Sequence, residues 1–304
     1  MLHFYAHGKL LITGEYAVLD GALALAVPTK KGQHLYIESS DQNGIYWESQ
    51  DADGKIWFET TLTYPEISEA KIAKPEDPKQ RLLQLFRAAQ KLNPQFLAEQ
   101  SGLKITTKLE FDRNWGLGSS STLVYMLAKW AQINPYSLLE TTFGGSGYDL
   151  ACAGAEAAIL YQKNLGEPTV YQTTFKPPFS KQLFFVYLNK KQNSRDAISN
   201  YRNQPKAGQE LLKTKISGIS ETVLKCEDLT SFCMLIEAHE QLIAKALNTA
   251  PIKQTLFKDY SGSIKSLGGW GGDFILATGG VDEQEYFRKK GYTTLIPFDE
   301  MVIN

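Results

Sequence analysis

The chain has 304 residues, 43% apolar and 21% charged, with 32 Lys plus Arg against 33 Asp plus Glu for a net charge of -1. That composition excludes a disordered chain, a coiled coil and a collagen-like fibre. The balanced charge gives no electrostatic case for a nucleic-acid or membrane-surface protein.

In chain order, the first 111 residues read mainly as β. Runs at 34–39, 44–48, 55–62 and 103–111 carry β-branched or aromatic residues with partial alternation, and turn clusters at Asp41–Gly44 and Asp51–Gly54 separate several of them. A helix is predicted over 79–92, where Leu82, Leu83, Phe86 and Ala89 share a face. Another is predicted over 119–132, with Leu123, Met126, Leu127, Trp130 and Ala131 at helical spacing and serines at its start to cap it. Past about residue 165 the texture changes. A buried strand at 183–188 precedes helices over 207–225, 229–247 and from 252 to about 266, then a strand at 274–277, a helix at 283–290 and a closing strand at 293–296. Loop formers between 164 and 180 mark a boundary, giving an α+β chain with domains at 1–170 and 171–304.

Cys152, Cys226 and Cys233 are too few and too unpatterned for a disulfide framework or a structural zinc site. The opening MLHFYAHGKLLITGEY lacks the basic-then-apolar layout of a signal peptide, and no stretch approaches a membrane span. A cytoplasmic address is expected.

The chemistry concentrates in glycine-bearing segments. Gly116-Leu117-Gly118-Ser119-Ser120-Ser121 lies between a strand and an amphipathic helix. Glycines let the backbone approach a ligand, the helix start offers unpaired N–H groups, and serine hydroxyls suit a phosphate or its Mg²⁺. Alone, such a run is more often a glycine turn with a serine cap, and the Walker pattern is absent. Lys9 follows Gly8 in an apolar strand and faces either an anion or, as an edge-strand lysine, solvent. Asp149 follows the glycine-rich stretch 144–147, where it could equally cap a short helix; Tyr136–Thr142 before it reads as helical, which argues against a dinucleotide fingerprint. Gly268-Gly269-Trp270-Gly271-Gly272-Asp273, ahead of FILA, suits close packing against a backbone or ligand, or a tight turn.

Their order is more specific than any one of them. A strand-embedded GK-x5-EYAV, then GLGSSS before a helix, then GSGYD, then GGWGGD before a strand resembles the GHMP kinases, over residues 5 to about 278. Within that superfamily GKLLITGEYAVL, GSGYD and the aspartate ending of GGWGGD look most like phosphomevalonate kinases, with mevalonate kinases next. The resemblance implies the GHMP two-domain fold: an N-terminal mixed β/α domain, a C-terminal ferredoxin-like α+β domain and an active site in the cleft between them. It implies ATP- and Mg²⁺-dependent phosphorylation of a small anionic metabolite, with 5-phosphomevalonate of the mevalonate (isoprenoid-precursor) pathway ahead of mevalonate. It involves no nucleic acid and no membrane, and leaves room for a homodimer. The class-level alternative is a silent GHMP-fold metabolite sensor, against which the joint presence of Lys9, Ser120 and Asp149 argues.

Residue by residue, the resemblance implies that Gly116, Leu117, Gly118, Ser119, Ser120 and Ser121 wrap the ATP phosphates, with Ser120 on Mg²⁺. Asp149 takes or orients the proton of the attacking oxygen, Lys9 balances charge beside the acceptor, and Gly269, Gly271 and Gly272 support the phosphate loop. Arg113-Asn114-Trp115 stands where the family has a proline and a small residue, Ser121 replaces a common alanine, and Trp270 stands where alanine is usual, which could narrow the site. The metal-binding glutamate of mevalonate kinases falls on Leu138; Glu140, two residues away, is the candidate ligand, weighed against a solvated helix residue. Lys190, Lys191 and Arg195 follow the strand at 183–188, where related enzymes place an acceptor-side loop.

Overall fold

The computed structural model describes residues 1–69, 76–205 and 208–303. The chain builds two compact units, one from Met1–Gly8, Lys31–Arg113 and Gly118–Gly154, the other from Lys9–Lys30, Asn114–Leu117 and Ala155–Asn304. Strands β1 (Leu2–Thr13) and β2 (Ala24–Ser39) each contribute residues to both.

In the first unit the later half of β2 is followed by β3 (Ile45–Gln50), β4 (Ile56–Leu62), α1 (Tyr64–Glu69), α2 (Pro78–Leu92), β5 (Leu103–Leu109), α3 (Ser119–Ala131), α4 (Pro135–Thr142) and α5 (Tyr148–Ala153). β2 pairs antiparallel with β5 from Gln33↔Leu109 to Ser39↔Leu103. β5 pairs parallel with β3, and β3 antiparallel with β4. Asp77 starts α2 by accepting the Gln80 N–H, with Pro78 in the first turn where its missing donor costs nothing. Leu82, Leu83, Leu85 and Phe86 then point inward to meet Trp47, Ile105, Met126 and Leu127 in one apolar core. The buried stripe of α3 is wider than the sequence reading, adding Val124 and Ala128 and leaving Leu123 and Trp130 half-buried at its margin.

In the second unit Ala24–Ala26 of β2 pair antiparallel with β6 (Ile159–Gln162), and β6 with β7 (Thr169–Gln172). A second sheet is built from β8 (Leu183–Tyr187), β9 (Ile264–Ser266), β10 (Phe274–Thr278) and β11 (Leu295–Pro297) in the order β11-β8-β10-β9, antiparallel throughout. Between β8 and β9 run α6 (Ser194–Arg202), α7 (Gln209–Leu224), α8 (Leu229–Leu247) and α9 (Ile252–Leu256); α10 (Val281–Lys289) joins β10 to β11, and α11 (Phe298–Met301) ends the chain. Helices on a four-stranded sheet with this order and connectivity form the β-α-β-β-α-β ferredoxin-like arrangement.

One element departs from the sequence reading. The helix expected from 252 to about 266 stops at Leu256, and Ile264–Ser266 is a strand. The stretch Ser261-Gly262-Ser263 is a poor helix former, and pairing Ile264 with Ala277 buries the isoleucine against β10. Among the described residues no helix is long and apolar enough to cross a membrane.

Candidate active site

In the second unit, apolar Leu10, Leu11 and Ile12 anchor β1 in the interior, and Lys9 precedes them with only 9% of its surface exposed. Its backbone N–H donates to the Leu117 carbonyl at 3.0 Å, so the strand carrying the lysine is hydrogen-bonded to the glycine loop. Trp115 packs edge-on against Phe274, ring centroids 5.5 Å apart, which fixes the loop's entry. Lys9, Trp115, Gly116, Gly268 and Asp273 line one small recess.

Asp273 is the residue that sequence reasoning left out of the site. A Cβ built on Gly116 would lie 2.4 to 2.6 Å from the Asp273 carboxyl atoms, so only glycine lets the two chains approach. Oδ1 of Asp273 accepts the Gln192 N–H at 3.0 Å, and its own backbone N–H donates to the Lys190 carbonyl at 2.7 Å. Burial pushes its carboxyl above the usual aspartate range; the Gln192 N–H and the charges of Lys9 and Lys191 oppose that rise. Gly269 and Gly272 lie against this same 190–192 segment, where added side chains would meet Gln192 and the Lys190 carbonyl. The Arg195 side chain lies outside the described residues.

Trp270 does not line the recess. It is buried with Tyr16, Ala17, Ala22, Ala197 and Tyr201, and its backbone N–H donates to Tyr16 Oη at 3.0 Å.

The second unit also holds a buried charged group that the sequence did not disclose. Lys265 Nζ on β9 donates to Glu15 Oε1 at 2.6 Å and lies 3.4 Å from Glu240 Oε1 on α8. His239 Nε2 accepts the Gly14 N–H at 2.9 Å, which requires that nitrogen to be unprotonated. Burial, helped by Lys265, holds His239 well below its usual range, so its 3.3 Å approach to Glu15 Oε2 is not an ion pair. Burial also raises both carboxyls, Glu15 to about 7, against the opposing pull of Lys265.

In the first unit, Gly118 starts α3 with φ +89° and its carbonyl accepts the N–H groups of Ser121 and Thr122. The N–H groups of Ser119 and Ser120 lie ahead of any intrahelical acceptor, as at every helix start. Ser119 is half-buried and Ser120 exposed. Ser121 Oγ donates to Asp149 Oδ2 at 3.3 Å, bringing the serine run and the aspartate of α5 together. Glu140 is exposed on α4, and among the described residues no group of three or more His, Cys, Asp or Glu side chains is placed to hold a metal.

A crystal structure of mevalonate kinase is similar over 97% of this chain and 98% of its own, with a TM-score of 0.71 at 16% identity. The Streptococcus pneumoniae phosphomevalonate kinase bound to phosphomevalonate and AMPPNP is similar over 97% and 99%, TM-score 0.69, 17% identity. The fold is that of the GHMP kinases. Within the GHMP kinase fold the likeness extends to the Lactococcus lactis galactokinase complexed with galactose, over 94% and 87%, TM-score 0.65, 13% identity. No protein-family model matches the sequence, and no curated protein matches it.

Proposed function

We propose that the protein is an ATP-dependent kinase for a small anionic metabolite, with 5-phosphomevalonate as its acceptor. The observation that carries this reading is Lys9 held by its main chain to Leu117 and lining one recess with Gly116, since phosphoryl transfer asks chiefly for positioning and charge stabilisation.

The residues fit a nucleotide. The left-handed Gly118 and the start of the 13-residue α3 offer a phosphate N–H donors. Mg²⁺ ordinarily keeps waters and takes one or two carboxylates plus the substrate phosphates, so a dense acidic cluster is not required. Ser120 and Glu140 are the proposed protein ligands, and the bound metal nucleotide supplies the phosphoryl group with its charge partly neutralised. Asp149, oriented by the Ser121 hydroxyl, accepts the proton of the acceptor's attacking oxygen. Lys9 is the proposed cation for the charge that develops during phosphoryl transfer. Lys190 and Lys191, exposed where the 190–192 segment meets Asp273, bind the acceptor's carboxylate and phosphate.

An ADP-release assay against 5-phosphomevalonate, mevalonate, homoserine and galactose tests the assignment. Fastest turnover of 5-phosphomevalonate is expected. Faster turnover of mevalonate would reverse the choice of acceptor, and no ADP release with any acceptor would leave the silent-sensor alternative.

A further inference from the structure

Asp273 occupies an expensive position. Its φ of +54° lies in the left-handed region, where a non-glycine residue is strained. Its side chain is 7% exposed, so a carboxylate is held largely out of water. A glycine, continuing the run before it, would avoid both costs. What the side chain does in return is visible in its contacts: it packs on the Gly116 α-carbon, accepts the Gln192 N–H, and lies close enough to Lys9 and Lys191 to feel their charges. Its main chain adds further ties, since Leu188 N–H donates to the Asp273 carbonyl at 2.8 Å.

We infer that Asp273 is a positioning residue of the proposed phosphoryl transfer: its carboxylate, wedged on Gly116 and bonded to Gln192, holds the glycine loop, the Lys9 strand and the 190–192 segment in one fixed arrangement. The link to Lys9 runs through Leu117, whose carbonyl accepts the Lys9 N–H. A direct catalytic role does not fit, because the carboxyl atoms face the Gly116 backbone and Oδ1 already accepts Gln192. The inference rests on the kinase reading above, and its test separates the two.

The test compares Asp273→Asn, which keeps the shape and the acceptor oxygen for Gln192, with Asp273→Ala, which removes both. Displacing reacting groups by about an ångström costs on the order of 10²-fold in rate. Asp273→Ala is therefore expected to lose about that factor in kcat and to raise the acceptor KM, while Asp273→Asn stays within about threefold of wild type in both. Wild-type kcat and KM in Asp273→Ala would overturn the role. Asparagine as damaging as alanine would replace positioning by direct participation, and overturn it equally. Should the alanine variant not fold, hydrogen exchange at the Gln192 amide decides: slow exchange is expected in wild type and Asp273→Asn, and exchange at the open-chain rate in wild type would sink the proposal. That amide reports on Asp273 even if the wild-type protein phosphorylates none of the acceptors tried, an outcome that would defeat only the kinase reading.

Discussion

Replacing Lys265 by methionine should expose the cost of the buried charged group it forms with Glu15 and Glu240. The lysine is wholly buried and paired to Glu15, with Glu240 beside it, and methionine fills much of its volume without its charge. Removing one partner of a buried pair typically costs about 3–5 kcal/mol, because the other charge is left without compensation. The penalty should depend on pH in a defined direction. In the wild type burial already raises Glu15 from 4.5 to about 7, so the folded state holds a proton there that the unfolded chain releases. The stability tied to that proton is complete below about 4.5 and is lost as pH rises through about 7. Without Lys265 both carboxyls rise further, so the folded variant must either ionise them at greater cost or take up protons from a basic solution. Urea unfolding should therefore show the full loss of about 3–5 kcal/mol at pH 8, and less than half of it at pH 5. Adding Glu15→Gln and Glu240→Gln to Lys265→Met should recover much of the loss. A penalty below about 1 kcal/mol at pH 8, or one equal at both pH values, would refute the argument that uncompensated burial governs this cluster.

Asp149→Asn should lower kcat by about 10²–10⁴-fold with nucleotide affinity nearly unchanged, measured by turnover and by titration of an ATP analogue. Gly118→Val places a β-branched residue at φ +89° and should abolish nucleotide binding, read by the same titration on the folded variant. Lys190→Ala and Lys191→Ala should each raise the acceptor KM by the equivalent of about 1–3 kcal/mol while leaving the ATP KM alone; equal shifts in both constants would point away from an acceptor role.

Much of this was legible in the sequence where the signal is local. α8 begins and ends where its periodicity does, at Leu229 and Leu247, with Asp228 supplying the cap. The glycine loops were legible because glycine marks close backbone approach, and Gly116 meets Asp273 as such a reading expects. What stayed hidden depends on long-range pairing. Lys265 lies 250 residues from Glu15 in the chain, and nothing near SIKS announces a buried cation. The strand at Ile264–Ser266 was concealed for the same reason: only its partner β10 makes it a strand. Asp273 did carry a signal, the acidic ending of its glycine run, but its partners Gln192 and Gly116 become neighbours only on folding.

The way the chain is shared between the two compact units has a consequence for dissecting the gene. Neither unit is a continuous stretch, and the second takes Lys9–Lys30 and Asn114–Leu117 from the amino-terminal half. A fragment from Ala155 onward would retain Lys265, Glu240 and His239 but lack Glu15, the closest acid to that lysine. It would also lack Gly116, leaving the Asp273 carboxylate with no surface to rest on. Truncation at the apparent midpoint would thus strand a cation and uncover a buried carboxylate. Complementation by two co-expressed halves, or a circular permutant opened at a surface turn such as Asp51–Lys55, should preserve these contacts where truncation cannot.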